Sequence, residues 1–144
     1  MLRPGGRLAP FHHVFQAPPE VTEALAEACG RVSPDSPAPA RWVSLRPPEQ
    51  ALDAYQPMFA KIAGGIREAG GFGEPEQWRF GWQRTCTRDE WLDELPTHGR
   101  LNLFPQDKLA KVLEGVGAAI DAMGGSFTMP YTTVAVTAAR TTPA

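Results

Sequence analysis

The side chains able to do chemistry in this chain are few, and their spacing narrows what they can do. His12 and His13 are neighbours at the end of an apolar segment running from Leu8 to Phe15. Successive strand residues point to opposite faces, so the pair cannot readily hold one metal ion, and no metal site is expected. One imidazole is expected to face a layer of helices and the other a loop-lined cleft, where it could act as a general base near neutral pH. A hydrogen-bonded structural histidine is the plainer alternative. His98 lies in Pro96-Thr97-His98-Gly99, a polar turn that could line the same pocket or cap a helix. Cys29 and Cys86 are too few for a metal cluster or a disulfide framework, so a reducing cytoplasm is the default setting. Neither Cys86 nor Ser126 has a base nearby in sequence, which gives nucleophilic catalysis no support. Gly115-Val116-Gly117-Ala118-Ala119-Ile120 imitates a dinucleotide fingerprint, but no strand precedes it and it continues a helical stripe begun at Leu109. Close helix packing is the expected reason for those glycines. Gly70-Gly71-Phe72-Gly73 lacks the Lys-Ser/Thr of a phosphate loop and reads as a helix stop.

Positioning these residues falls to a chain of 144 residues, the length of one domain spanning 1–144. Hydrophobic residues make up 42% and charged residues 21%, which fits neither a disordered tail nor a membrane protein. A net charge of −2 gives no electrostatic footprint for nucleic acid. The segment Leu2 to Arg7 is a Pro-Gly-Gly turn of the kind that joins a helix to a strand, and Leu8 to Phe15 follows as that strand. Pro10 within it is tolerated mainly on a sheet edge. Pro18-Pro19 opens a helix whose Val21, Leu25, Ala28, Cys29 and Val32 share a face. The stretch of about 33–48 holds five prolines and Trp42, and reads as a loop or lid. A second helix carries Tyr55, Met58, Phe59, Ile62 and Ile66. Trp78, Phe80 and Trp82 alternate with polar residues, a strand with one apolar face, and Trp78, Trp82 and Trp91 are expected in the core. Thr87-Arg88-Asp89-Glu90 matches a capping box. Leu109, Val112, Leu113, Val116, Ile120 and Met123 form the cleanest helical stripe. A last strand runs from Phe127 to Ala139.

Leu2-Arg3-Pro4-Gly5-Gly6-Arg7-Leu8 with the strand after it resembles the segment entering the fifth strand of class I S-adenosylmethionine-dependent methyltransferases. Thr87-Arg88-Asp89-Glu90-Trp91-Leu92 with Leu95-Pro96-Thr97-His98 is similar to the sixth-strand-to-helix region of bacterial members. Phe127-Thr128-Met129-Pro130-Tyr131 with the run from Thr133 to Ala139 resembles their seventh strand, which closes the sheet antiparallel. The resemblance covers nearly the whole chain. It implies an α/β fold, part of a Rossmann-like methyltransferase sheet holding strands that correspond to 5, 7 and 6, flanked by helices.

What the resemblance implies for function is the carboxyl-terminal, substrate-side portion of a methyltransferase acting on a small molecule. S-adenosylmethionine is the implied cofactor. The family's first four strands, its glycine-rich loop and its acidic ribose-binding residue have no counterpart here, so no cofactor-binding residue is carried over. The chain alone is not expected to bind the cofactor. His12 or His13 is the candidate base, with Phe15, Trp42, His98 and Tyr131 as pocket walls. The Leu8–Phe15 strand would be left as an apolar edge, open to a second copy or to a missing amino-terminal half. The alternative function is a non-catalytic module, derived from a methyltransferase, that binds a small molecule or a protein.

Overall fold

A computed structural model describes residues 2–34, 48–98 and 101–141. Trp42 and all but the ends of the lid-like stretch lie outside the described residues. The described chain is mixed α/β, with a four-stranded antiparallel sheet and four α-helices. In chain order these are β1 (Arg7–Leu8), β2 (Phe11–Phe15), α1 (Pro19–Val32), α2 (Pro48–Ala69), β3 (Glu76–Thr87), α3 (Arg88–Glu94), α4 (Gln106–Ala122) and β4 (Ser126–Ala139). Two single 3-10 turns, Leu95–Thr97 and Leu101–Leu103, separate α3 from α4.

The opening turn behaves as its residues demand. Gly5 takes a φ of +79°, which only glycine adopts freely, and its N–H donates to Arg140 O at 2.9 Å. That bond ties the turn to the end of β4, and β1 and β2 then run antiparallel to β4 in one unbroken register. Arg7 lies opposite Ala139, Leu8 opposite Ala138, and Phe11 to Phe15 opposite Ala135 to Tyr131. β3 pairs with β4 as well, and an antiparallel bridge from Phe72 to Arg140 extends that pairing. β4 is therefore the inner strand, with β1 and β2 along one side of it and β3 along the other.

Pro10 divides β1 from β2, and the register gives the reason. Val136 N–H donates to Pro10 O at 3.0 Å, so Pro10 occupies a hydrogen-bonded position facing β4. Its ring nitrogen returns nothing to Val136. The strand is an outer one among the described residues, as expected, but the proline's missing donor falls on the inner side. Position at an edge does not spare the rung.

Contacts divide the chain into two compact units. The first comprises β1, β2, α2, β3 as far as Trp82 and β4 from Tyr131. Its core is Val14, Val134, Val136 and Ala138 from the strands against Ala51, Phe59 and Ile66 of α2. Phe59 has 0% of its surface exposed. The period of two in the strands and of 3.6 in the helix brings these residues to one layer.

The second unit comprises α1, α3, α4 and the rest of β3 and β4. Val21, Ala28 and Cys29 of α1, Trp91 of α3, and Val112, Val116 and Ile120 of α4 are buried, with Phe127 and Met129 of β4. α1 and α4 approach closely where small residues allow it: a Cβ on Gly115 would lie 3.1 Å from the Ala28 Cβ. A Cβ on Gly117 would meet the Arg88 guanidinium at 3.0 Å and Leu92 Cδ1 at 3.1 Å. The two glycines are packing residues, as the unbroken helical stripe implies. α3 opens on the capping box read from sequence: Thr87 Oγ1 accepts from Glu90 N–H, and the Glu90 carboxylate accepts from Thr87 N–H at 2.9 Å. That N–H, and the Thr87 hydroxyl donating to the same carboxylate at 3.0 Å, hold the Glu90 carboxyl below the usual carboxylate range. Among the described residues no helix is long and apolar enough to cross a membrane.

Candidate functional site

β2 separates its two histidines as strand geometry requires. His12 shares the α2-covered face with Val14, its ring centroid 6.3 Å from that of Phe59. It is half-buried, and its Nδ1 is buried without a hydrogen-bond partner among the described residues. His13 points the other way and is exposed.

The His13 face is aromatic. Phe11 and Phe15 flank His13 along β2, and across the sheet stand Tyr131 and Thr133 of β4 and Trp82 of β3. Trp82 and Tyr131 stack with centroids 4.2 Å apart and planes 7° apart. Phe15 lies 5.4 Å from Tyr131, and the His13 ring stands edge-on to Trp82 at 5.5 Å, tilted against Phe11 at 5.8 Å. Thr133 joins the group by hydrogen bonds: Trp82 Nε1–H donates to Thr133 Oγ1 at 2.9 Å, and His13 Nδ1 lies 2.8 Å from the same oxygen. Among the described residues, the neighbours of His13 on this face are aromatic rings of the sheet.

Further along this face Trp78 and Phe80 continue the alternation from Trp82. The expectation that Trp78 and Trp82 lie in the core is corrected: they are 41% and 42% exposed, and Phe80 is 55% exposed. No described helix covers β3 there, so the rings find partners within the sheet instead. The Arg7 guanidinium carbon sits 4.8 Å over the Trp78 ring, an exposed cation–π contact, while Arg7 also faces Glu76 at 3.8 Å. Of the described tryptophans only Trp91 is buried, against Phe127 in the second unit.

Of the residues singled out from sequence, the structure brings together His13, Phe15 and Tyr131. His12 lies on the opposite face of the same strand. His98 belongs to the second unit, where its Nε2 is 3.2 Å from Glu94 Oε1 and its ring packs 5.4 Å from that of Trp91. It follows the 3-10 turn Leu95–Thr97, its backbone N–H donating to Leu95 O at 3.0 Å. Trp42 lies outside the described residues. Thr133 and Trp82 were not among the candidates. The signal for Trp82 was present in the alternation of β3, whereas Thr133 enters through register alone.

Cys29 and Cys86 are both buried and free, and burial pushes the Cys29 thiol up, away from the reactive thiolate. Among the described residues no three His, Cys, Asp or Glu side chains converge on a metal position. No protein-family model matches this chain, and no curated protein sequence matches it.

Proposed function

We propose that the chain is the substrate-side, carboxyl-terminal portion of an S-adenosylmethionine-dependent methyltransferase acting on a small molecule. The observation that carries the reading is the strand order. The opening strand, the final strand and the middle strand lie side by side in that order, with the final strand antiparallel to its neighbours. That is the 5-7-6 order implied by the resemblance of the three segments.

Among the described residues, the glycine patterns do not fit a loop that holds the cofactor. The one glycine pattern that imitates a nucleotide loop lies inside α4, where the Gly117 Cβ direction is occupied by Arg88 and Leu92. Gly70 and Gly71, both at positive φ, end α2. No step is therefore routed through the cofactor by these side chains. What the chain supplies is a surface that positions an acceptor. Methyl transfer is an in-line displacement, in which orientation of the nucleophile and exclusion of water carry much of the rate. His13, held by Thr133 and walled by Phe11, Trp82 and Tyr131, is the polar group that touches such an acceptor. The outer edge of β2, which among the described residues pairs with β4 alone, is where a further strand adds, from an amino-terminal half or a second copy.

The reading is tested on the coding DNA and in solution. It expects the DNA immediately upstream to encode, in frame, a strand followed by a glycine-rich turn. It also expects calorimetry to give no saturable binding of S-adenosylmethionine to the 144-residue chain alone. A stop codon or a shifted frame upstream overturns it in favour of a stand-alone binding module. One-site cofactor binding by the isolated chain would overturn the division of labour between the halves.

A further inference from the structure

Thr133 sits between two nitrogens, and only one of them has a fixed role. The Trp82 indole N–H donates and never accepts, so it takes one of the hydroxyl's two lone pairs. The hydroxyl has one proton and one lone pair left to offer the imidazole. With the proton directed to His13 Nδ1, each group in the row donates to the next, and the aligned bonds strengthen one another. With Nδ1–H directed to the hydroxyl instead, the oxygen accepts twice and its proton is left to solvent.

We propose that the first arrangement holds in the neutral imidazole. Trp82 donates to Thr133, Thr133 donates to His13 Nδ1, and His13 turns an Nε2–H outward from the aromatic face. The site then takes a planar aromatic ligand carrying an acceptor oxygen, a carboxylate or a conjugated carbonyl. The ligand's ring packs against the exposed rings of Phe11 and Trp82, and its oxygen accepts from His13 Nε2–H. A neutral His13 in this form has no lone pair facing outward. It orients an acceptor atom and is not a general base, which reverses the role expected of it from sequence. Thr133 and Trp82 are its positioning residues. The functional meaning of this site rests on the proposed substrate-side reading, but the tautomer does not.

Two measurements on the full chain test the proposal. Nitrogen NMR of 15N-histidine-labelled protein, with His13 assigned through His13→Gln, distinguishes the two neutral tautomers. The expected result is the Nε2–H form in the wild type, a mixture in Thr133→Val and recovery in Thr133→Ser. A dominant Nδ1–H form in the wild type would overturn it. The ligand class is probed with benzoate and benzamidinium, planar rings of similar size whose polar groups only accept or only donate. Benzoate is expected to shift the His13 and Trp82 indole resonances, and Thr133→Val to weaken its binding about three- to tenfold, with recovery in Thr133→Ser. Absence of benzoate binding, or benzamidinium binding as tightly, overturns the ligand assignment. If Thr133→Val does not fold, Trp82→Phe at an exposed position removes the first donor of the row, and a loss of tautomer preference is again expected. An upstream stop codon would remove the methyltransferase reading and leave both of these results unaffected.

Discussion

The two faces of the β2–β4 pair both carry large apolar side chains, yet they end in different environments. On one face Val14, Val134, Val136 and Ala138 are buried beneath Phe59 and Ile66 of α2. On the other, Phe11 is exposed, and along β3 so are Trp78, Phe80 and Trp82. Alternation in a strand determines which residues share a face, but whether anything covers that face is decided by a helix elsewhere in the chain. The covered face is a core. The open one combines aromatic area with three hydrogen-bonding groups, His13, Thr133 and Trp82, which is the composition of a surface that binds.

The contrast can be broken most decisively at Phe59. Phe59→Ala is expected to lose about 3–5 kcal/mol in denaturant unfolding, through lost burial and the cavity left behind. Phe11→Ala, two residues from His13 on the open face, is expected to stay within about 0.5 kcal/mol of the wild type. Equal losses would mean that the open face is packed after all. The tryptophans sharpen the same contrast spectroscopically. In single-tryptophan variants, acrylamide should quench Trp78 and Trp82 readily and Trp91 poorly, and poor quenching of Trp82 would place a cover over β3.

A smaller effect is expected at the capping box of α3. Thr87→Ala should destabilise the chain by about 1 kcal/mol. The pH dependence has a defined sign. Glu90 has a folded-state pKa below its ordinary value, so its contribution is present above the unfolded-state pKa and is lost as pH falls through the folded-state one. Glu90→Gln should flatten the acid limb of the stability curve, and an unchanged limb would assign that slope to other carboxylates. The smallest change is expected at Gly64, inside α2 with open space where a Cβ would go. Gly64→Ala should stabilise by roughly 0.5–1 kcal/mol through helix propensity, whereas Gly117→Ala, which meets Arg88 and Leu92, should not.

Much of the secondary structure was legible because its signals are local. The stripe through Val112, Val116 and Ile120, the Thr87–Glu90 capping box and the Gly124-Gly125 stop each lie within a few residues, where periodicity and capping chemistry act. The opposed directions of His12 and His13 followed from pleat geometry alone. The candidate site was legible only in part, because its decisive contacts are remote in sequence. Thr133 is brought to His13 by the antiparallel register of β2 and β4, and Trp82 reaches Thr133 from β3. Nothing near His13 announces either partner. The exposure of Trp78 and Trp82 was misread for a related reason: large aromatic side chains are usually buried, but that tendency does not supply a helix to bury them.

Pro10 has a consequence for how the outer strand opens. Its carbonyl still accepts from Val136 N–H, but the returning bond is absent, so the ladder is weakest between Leu8 and Phe11. β1 is held by its short pairing with Ala138 and Ala139 and by the turn bond from Gly5, while β2 keeps its own five-residue pairing. The two segments therefore open as separate units. In native-state hydrogen exchange, amides around Arg7, Leu8 and Ala138 belong to a low-free-energy local opening, while those of His12, Val14 and Val134 stay protected until the covered core itself unfolds.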